Sequence, residues 1–358
     1  MKRSVLKRYV SWFAAAAMLA GCGPPQAISP PAGQLANPAA AHRLTIGYNS
    51  LYIFRGGRDG AEPVAGLLLQ RGKLYGTTWN GGTNNDGTIF AVTGMGVETI
   101  LYRFKGGKDG RKPAAGIINV NDTLYGTTSS GGAGNDGTVF AITTFGNERV
   151  LHRFGSSGDG AEPYAGLLHV NGTLYGTTRS GGANGQGTVF AITTSGKETV
   201  LHSFGASGDG ANPLAELINA HGTLYGTTSS GGAYSCGSRG SCGTVFSITT
   251  SGTEKVLHSF GQGADGGEPH ASLIRVKDTL YGTTSQGGTS GGCGGYGCGT
   301  VFSITTGGTE NVLLSFGVGL ADGITPDAAL IGAHGYLFGT ASGGGGYNDG
   351  IVFRIFDD

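Results

Sequence analysis

Charge is scarce in this sequence. Only 13% of its 358 residues are Asp, Glu, Lys or Arg, 23 of each sign, and the formal net charge is zero. That leaves none of the basic surplus on which nucleic-acid binding draws. Helical periodicity is also missing, since no ten-residue stretch repeats apolar residues at a period of 3.6. No apolar run is long enough to cross a bilayer comfortably. The marks of familiar catalytic classes are absent as well: there is no Ser-His-Asp spacing, no phosphate-cradling glycine motif at a strand-to-helix junction, and no metal-binding histidine pair. No catalytic residue, metal ligand or cofactor is therefore assigned.

Glycine is abundant, at 73 residues. It follows no three-residue period, which excludes collagen, and the 38% of hydrophobic residues recur in clusters able to build a core, which argues against disorder. The front end differs from the rest. Lys2, Arg3, Lys7 and Arg8 open it, Tyr9 to Leu19 is largely apolar, and Leu19-Ala20-Gly21-Cys22 follows. This pattern resembles a bacterial lipoprotein signal. The resemblance implies cleavage before Cys22 and a lipid on that cysteine, with the membrane as a partner through it; buried acyl chains contribute about 0.8 kcal/mol per methylene. Gly23 stands where an aspartate would favour inner-membrane retention, so an outer-membrane or surface location is expected. Loss of residues 1–21 removes four basic groups and no acids, taking the balance from zero to −4. Residues 22–42, with Pro24, Pro25, Pro30, Pro31 and Pro38, read as an extended tether.

The remainder, residues 43–358, is one unit written six times. Segments beginning at Leu51, Leu101, Leu151, Leu201, Leu257 and Leu313 align along almost their whole length. In unit three, Tyr164 to Val170 reads as a strand and Asn171-Gly172 as a tight hairpin turn needing positive φ at both positions. Thr173 to Thr178 returns, Gly187 to Thr193 is a third strand rich in β-branched and aromatic residues, and Lys197 to Phe204 is a fourth. The third strand is apolar on both faces, Val189 and Ala191 one way and Phe190 and Ile192 the other, so each sheet needs a neighbour on either side. Four strands per repeat of this length point to an all-β, six-bladed β-propeller; a solenoid of shorter turns is the weaker reading. Unit six stops at Ile351 to Phe356 without a fourth strand, while Arg43 to Phe54 is a fourth strand with no unit before it. The expectation is that this orphan completes the last blade and closes the ring, removing exposed sheet edges.

The strand order and the Gly-Gly pair after strand two, as at Gly131-Gly132 and Gly181-Gly182, resemble kelch propellers, although the kelch fourth-strand tryptophan is absent. Leu-Tyr-Gly-Thr-Thr at Leu124 to Thr128 and Gly-Thr-Val-Phe at Gly137 to Phe140 resemble more closely the GloVer tandem-repeat proteins of bacteria, over residues 51–358. That resemblance implies a propeller architecture and a surface location, and no activity.

In an up-and-down blade the Asp-Gly and Gly-Gly loops share one end. Trp79, Tyr234, Arg239, Tyr296 and Tyr347 map there, making it the candidate binding face. Asp59, Asp109, Asp159, Asp209, Asp265 and Asp322 recur at one position; a calcium ring is conceivable, but repetition in every unit favours an Asx-type turn. His152, His202 and His258, replaced by Tyr102 and Leu314 in other units, read as packing residues. In an exported chain the closely spaced pairs Cys236/Cys242 and Cys293/Cys298 point to two local disulfides, a four-cysteine zinc site being the sharper alternative. The expected function is a monomeric, non-enzymatic module binding a glycan or protein; a polymer-acting hydrolase or lyase and a structural spacer are the alternatives.

Overall fold

In the computed structural model the chain divides between Tyr48 and Asn49, and the structure describes residues 50–234, 242–319 and 322–356. Residues 1–42, with Cys22 and the tether, lie outside them, as do Cys236 and Arg239. Among the described residues no helix is long and apolar enough to cross a membrane.

Each of the first five units forms a four-stranded antiparallel sheet whose strands pair in chain order. In unit three these are Leu168–Val170, Thr173–Thr178, Thr188–Thr193 and Glu198–Ser203. The hairpin turn is as expected, with φ of 49° at Asn171 and 83° at Gly172. The first strand is shorter than the expected Tyr164 to Val170, and just before that span Glu162 sits at a φ of 57° and Pro163 has no N–H for a ladder. The chain upstream pairs elsewhere: Gly160–Ala161 forms a small ladder with Ser180–Gly181, tying the Asp-Gly loop to the Gly-Gly loop. Gly181 is at a φ of 80°, and a Cβ there would lie 2.6 Å from the Asp159 carbonyl, so the crossing of these loops requires glycine.

The two-faced third strand behaves as its pattern demands. Phe190 and Ile192 join Val139, Ala141 and Phe154 of unit two in one core, and Val189 and Ala191 join Leu224, Phe246 and Ile248 of unit four in another. Further cores of this kind join units one and two, four and five, and five and six. Two repeated contacts stitch the junctions. The phenylalanine ending strand four packs edge-to-face on the third-strand phenylalanine of the next unit, as Phe154 on Phe190 and Phe204 on Phe246, both at 5.1 Å. The penultimate threonine of strand two donates across the junction: Thr127 Oγ1 to the Ala165 carbonyl at 3.0 Å, and Thr177 Oγ1 to the Ala215 carbonyl at 3.1 Å. First strands of neighbouring units also touch, from unit two through unit six.

Unit six holds three strands, Ile331–Ala333, Tyr336–Ala341 and Ile351–Phe356. The expected fourth strand from the N-terminus is not paired with it: Leu51 to Phe54 forms no ladder, and residues 43–49 lie outside the described residues. Phe54 nevertheless packs edge-to-face on Phe90 at 4.9 Å, the contact by which each preceding unit meets its successor. On the uncovered side of unit one Leu67 is 54% exposed, where its counterpart Leu167 is fully buried.

The Thr177 contact is testable, because valine keeps the shape and removes the donor. Thr177→Val leaves the Ala215 carbonyl without its partner inside the junction and should cost about 1–3 kcal/mol, measured by denaturant unfolding. An unchanged midpoint would show that the bond contributes nothing.

Candidate functional site

The turn after strand four fixes the repeated aspartates. Asp109 Oδ2 accepts the Lys105 amide at 2.7 Å, Asp265 Oδ1 the Gly261 amide at 3.0 Å, and Asp322 Oδ2 the Gly319 amide at 2.7 Å. The Asx-type reading of this position therefore holds. The other side of the carboxylate has a partner that sequence reasoning missed. Seven residues upstream of every one of these aspartates except Asp322, on the face turned to the next unit, stands a tyrosine or a histidine. Tyr52 donates to Asp59, and Tyr102 to Asp109 at 2.8 Å; His152 Nε2 meets Asp159 Oδ2 at 2.9 Å, His202 meets Asp209 at 3.0 Å, and His258 meets Asp265 at 2.9 Å. The histidines read as packing residues are thus hydrogen-bonded to the aspartates. The constant seven-residue spacing was the signal available.

A third group completes each junction. Glu98, Glu148, Glu198, Glu254 and Glu310 open the fourth strand of their own units and lie against the Tyr/His–Asp pair of the unit before. In every one of them Oε1 is buried with no hydrogen-bond partner. Recurrence of glutamate at the start of strand four was the signal available for this position.

On the loop face Trp79 meets residues that sequence reading did not single out. Trp79 of unit one stacks on Tyr164 of unit three with ring centroids 6.3 Å apart, and the Arg179 guanidinium lies over that tyrosine at 5.9 Å. This stack joins loops of units one and three. Nearby are two cavities, one of about 280 Å³ with Gln286, Tyr296 and Asp327 in its wall and one of about 270 Å³ with Arg179 and Asn212; Glu268 and His270 line both. His270 Nδ1 and Asp327 Oδ1 are 3.1 Å apart. Tyr234 is farther out, donating to Gln262 Oε1 at 3.3 Å, and Tyr347 is 93% exposed.

Cys293 and Cys298 form the expected disulfide, with Cα atoms 5.4 Å apart. Cys242 is disulfide-bonded too, its expected partner Cys236 being outside the described residues. Bonded sulfurs are not thiolate ligands, so the four-cysteine zinc alternative falls.

A repeat model described as the Gloeobacter/Verrucomicrobia repeat matches residues 36–239 and 235–357. The chain belongs to that repeat family. No curated protein matches it in sequence. Among solved structures, a lectin of Burkholderia pseudomallei is 11% identical, with a TM-score of 0.55 over 85% of this chain and 82% of the lectin. A gluconolactonase of Xanthomonas campestris has a TM-score of 0.42 at 11% identity, over 75% and 78%. The likeness to the lectin carries the fold alone: this member of the repeat family is an all-β, propeller-like array of four-stranded antiparallel sheets.

At the junctions of this repeat protein, carboxyl groups crowd without enough donors. Burial first, and the charge of the facing aspartate second, push Glu148, Glu198 and Glu254 up to about 7; the Tyr102 hydroxyl, then Lys105 and Arg153, oppose the shift at Glu148, as His152 and His202 do at the other two. Burial also pushes Glu310 up to about 7, against the pull of His258 and with the push of Asp265. Such carboxyls bind a proton more tightly folded than unfolded, so their stabilisation is present below about 4.5 and is lost as pH rises through about 7. The melting temperature should fall between pH 5 and pH 8. Glu148→Gln, at a junction built with tyrosine, should flatten that slope by keeping one site neutral; a slope unchanged by the substitution would exclude Glu148 as a contributor.

Proposed function

We propose that the protein is an exported, non-enzymatic binding module: a six-bladed ring held to a membrane by a lipid on Cys22 and a tether of residues 22–42, with a loop face that takes a glycan. One observation carries the binding reading. The two adjoining cavities sit where the repeats stop being alike. Arg179 stands where other units have Trp79, Ser129, Ser229, Ser285 and Ser342; His270 stands where they have Val64, Ala114, Tyr164, Leu214 and Asp327. A scaffold position needs the same residue in each copy, whereas a ligand selects different ones. Polar walls with an aromatic ring at one side suit a sugar, whose hydroxyls hydrogen-bond and whose C–H face stacks. The Cys293–Cys298 disulfide stiffens the loop that presents Tyr296.

The full chain serves as probe. Membrane fractionation of wild type against Cys22→Ala checks the anchor, the variant moving to the soluble fraction; a glycan array with solubilised protein checks the face. Tyr296→Ala and His270→Ala should each weaken a detected glycan by about tenfold or more. Binding indifferent to both substitutions, or no glycan bound at all, would remove this reading of the face.

Closure of the ring rests on Tyr52, Phe54 and Asp59, which make in front of unit one the contacts that each fourth strand makes in front of its successor. By the register of unit three, where Thr188 pairs with Ser203, Ile351 faces Ile53 once the last blade is complete. Ile53→Cys with Ile351→Cys should then oxidise in air to a disulfide visible by mass spectrometry. Two free thiols in the folded double variant would open the ring.

A further inference from the structure

The geometry points to two divalent metal sites at the blade junctions, one formed by His152, Asp159 and Glu198 and the other by His202, Asp209 and Glu254. Each set offers one imidazole nitrogen and two carboxylate oxygens, all lying within 4.8 Å of one another. Ligands each about 2.1 Å from one ion lie at most roughly 4.2 Å apart, so side-chain shifts of a few tenths of an ångström close either set. The histidine and aspartate of both sets are partly reachable from solvent, with side chains 21% and 7% exposed for the first and 21% and 8% for the second. Solvent can therefore deliver an ion.

A second observation is independent of this proximity. Glu198 Oε1 and Glu254 Oε1 are buried lone-pair donors that no N–H or O–H satisfies, a costly state for an oxygen beside another carboxylate. A cation cancels the repulsion between the two carboxylates and occupies that lone pair. The second shell is in place: the Gly160 amide donates to Asp159 Oδ1 at 2.7 Å and the Gly210 amide to Asp209 Oδ1 at 2.6 Å, while Oδ2 of each aspartate faces the imidazole, that of Asp209 also accepting the Gly205 amide at 3.2 Å. To ligate through Nε2 the imidazole carries its proton on Nδ1. One nitrogen and two oxygens suit Zn²⁺ and its first-row neighbours better than Ca²⁺, which takes six to eight oxygens.

The chain supplies its own controls. At the two junctions before these, the matching aspartates face Tyr52 and Tyr102. A neutral phenol satisfies the aspartate by hydrogen bonding and brings no imidazole lone pair. The change from Tyr102 to His152 keeps that hydrogen bond and adds a metal ligand.

Titration of chelator-stripped full-length protein, its disulfides kept oxidised, with zinc chloride should give two ions per chain by calorimetry and a raised melting temperature. His202→Tyr copies Tyr102 at the matching position, so the fold is retained and the stoichiometry should fall to one. His152→Tyr with His202→Tyr should abolish the calorimetric signal and the thermal shift together. Glu198→Gln, which keeps the shape of the side chain, should silence the first site alone. Wild type that takes up no zinc, or a stoichiometry untouched in the double tyrosine variant, would overturn the assignment; the latter would place the ions on surface histidines.

Discussion

Everything in this molecule follows from a strand that has no polar face. Thr188 to Thr193 turns Val189 and Ala191 to one side and Phe190 and Ile192 to the other, and both sides are packed. A sheet built around such a strand cannot leave either surface in water without losing roughly 25 cal/mol for each Å² of apolar area it exposes. One unit is therefore no domain at all. Its neighbours are its solvent shield, and the interior copies have one on each side. The same constraint explains the glycines of strand two: a Cβ on Gly176 would lie 2.5 Å from Phe190 Cζ, so the residue is small because the phenylalanine that caps the next core lies across it.

Much of this architecture was legible in the sequence because repetition multiplies weak signals. Asn-Gly in unit three alone suggests a turn; the corresponding Asn121-Asp122, Asn171-Gly172 and His221-Gly222, all beginning at positive φ, make it a rule of the chain. The alternation of strand three was equally plain. What stayed hidden were contacts between units, since a one-dimensional alignment shows which residues recur and not which recurrent residues meet. The aspartates were visible as turn residues, and the tyrosine or histidine seven positions earlier was visible as a variable site. Only the bulge between strands three and four, which pairs Val189 with His202 and Phe190 with Val200, turns that side chain toward the next unit and its glutamate.

The junction triads show how a repeat stores more than packing. A carboxylate that fixes a turn must be held, so a donor faces it; the donor sits on the outer strand, so it also meets the next unit's first strand-four residue, a glutamate. Two carboxyls in partial burial then require a proton, an imidazolium or an ion between them. The fold creates the electrostatic problem at each junction, and the residue at one position, tyrosine or histidine, decides which solutions are open. Structure and chemistry are coupled there through a single side chain.

The loop face obeys the opposite logic. Strand positions are constrained from both sides and therefore repeat; a loop that closes over the axis is constrained only by its glycines, the crossing at Gly181 and Gly160 being one. Between these fixed points the side chains are free to differ, and they do so most where units three to six meet, at Arg179, His270, Gln286 and Tyr296. An array of near-identical sheets offers the same surface at every copy until such differences set one apart. Recognition in this fold must therefore be read from the positions that fail to repeat, because those that repeat are already committed to holding the blades together.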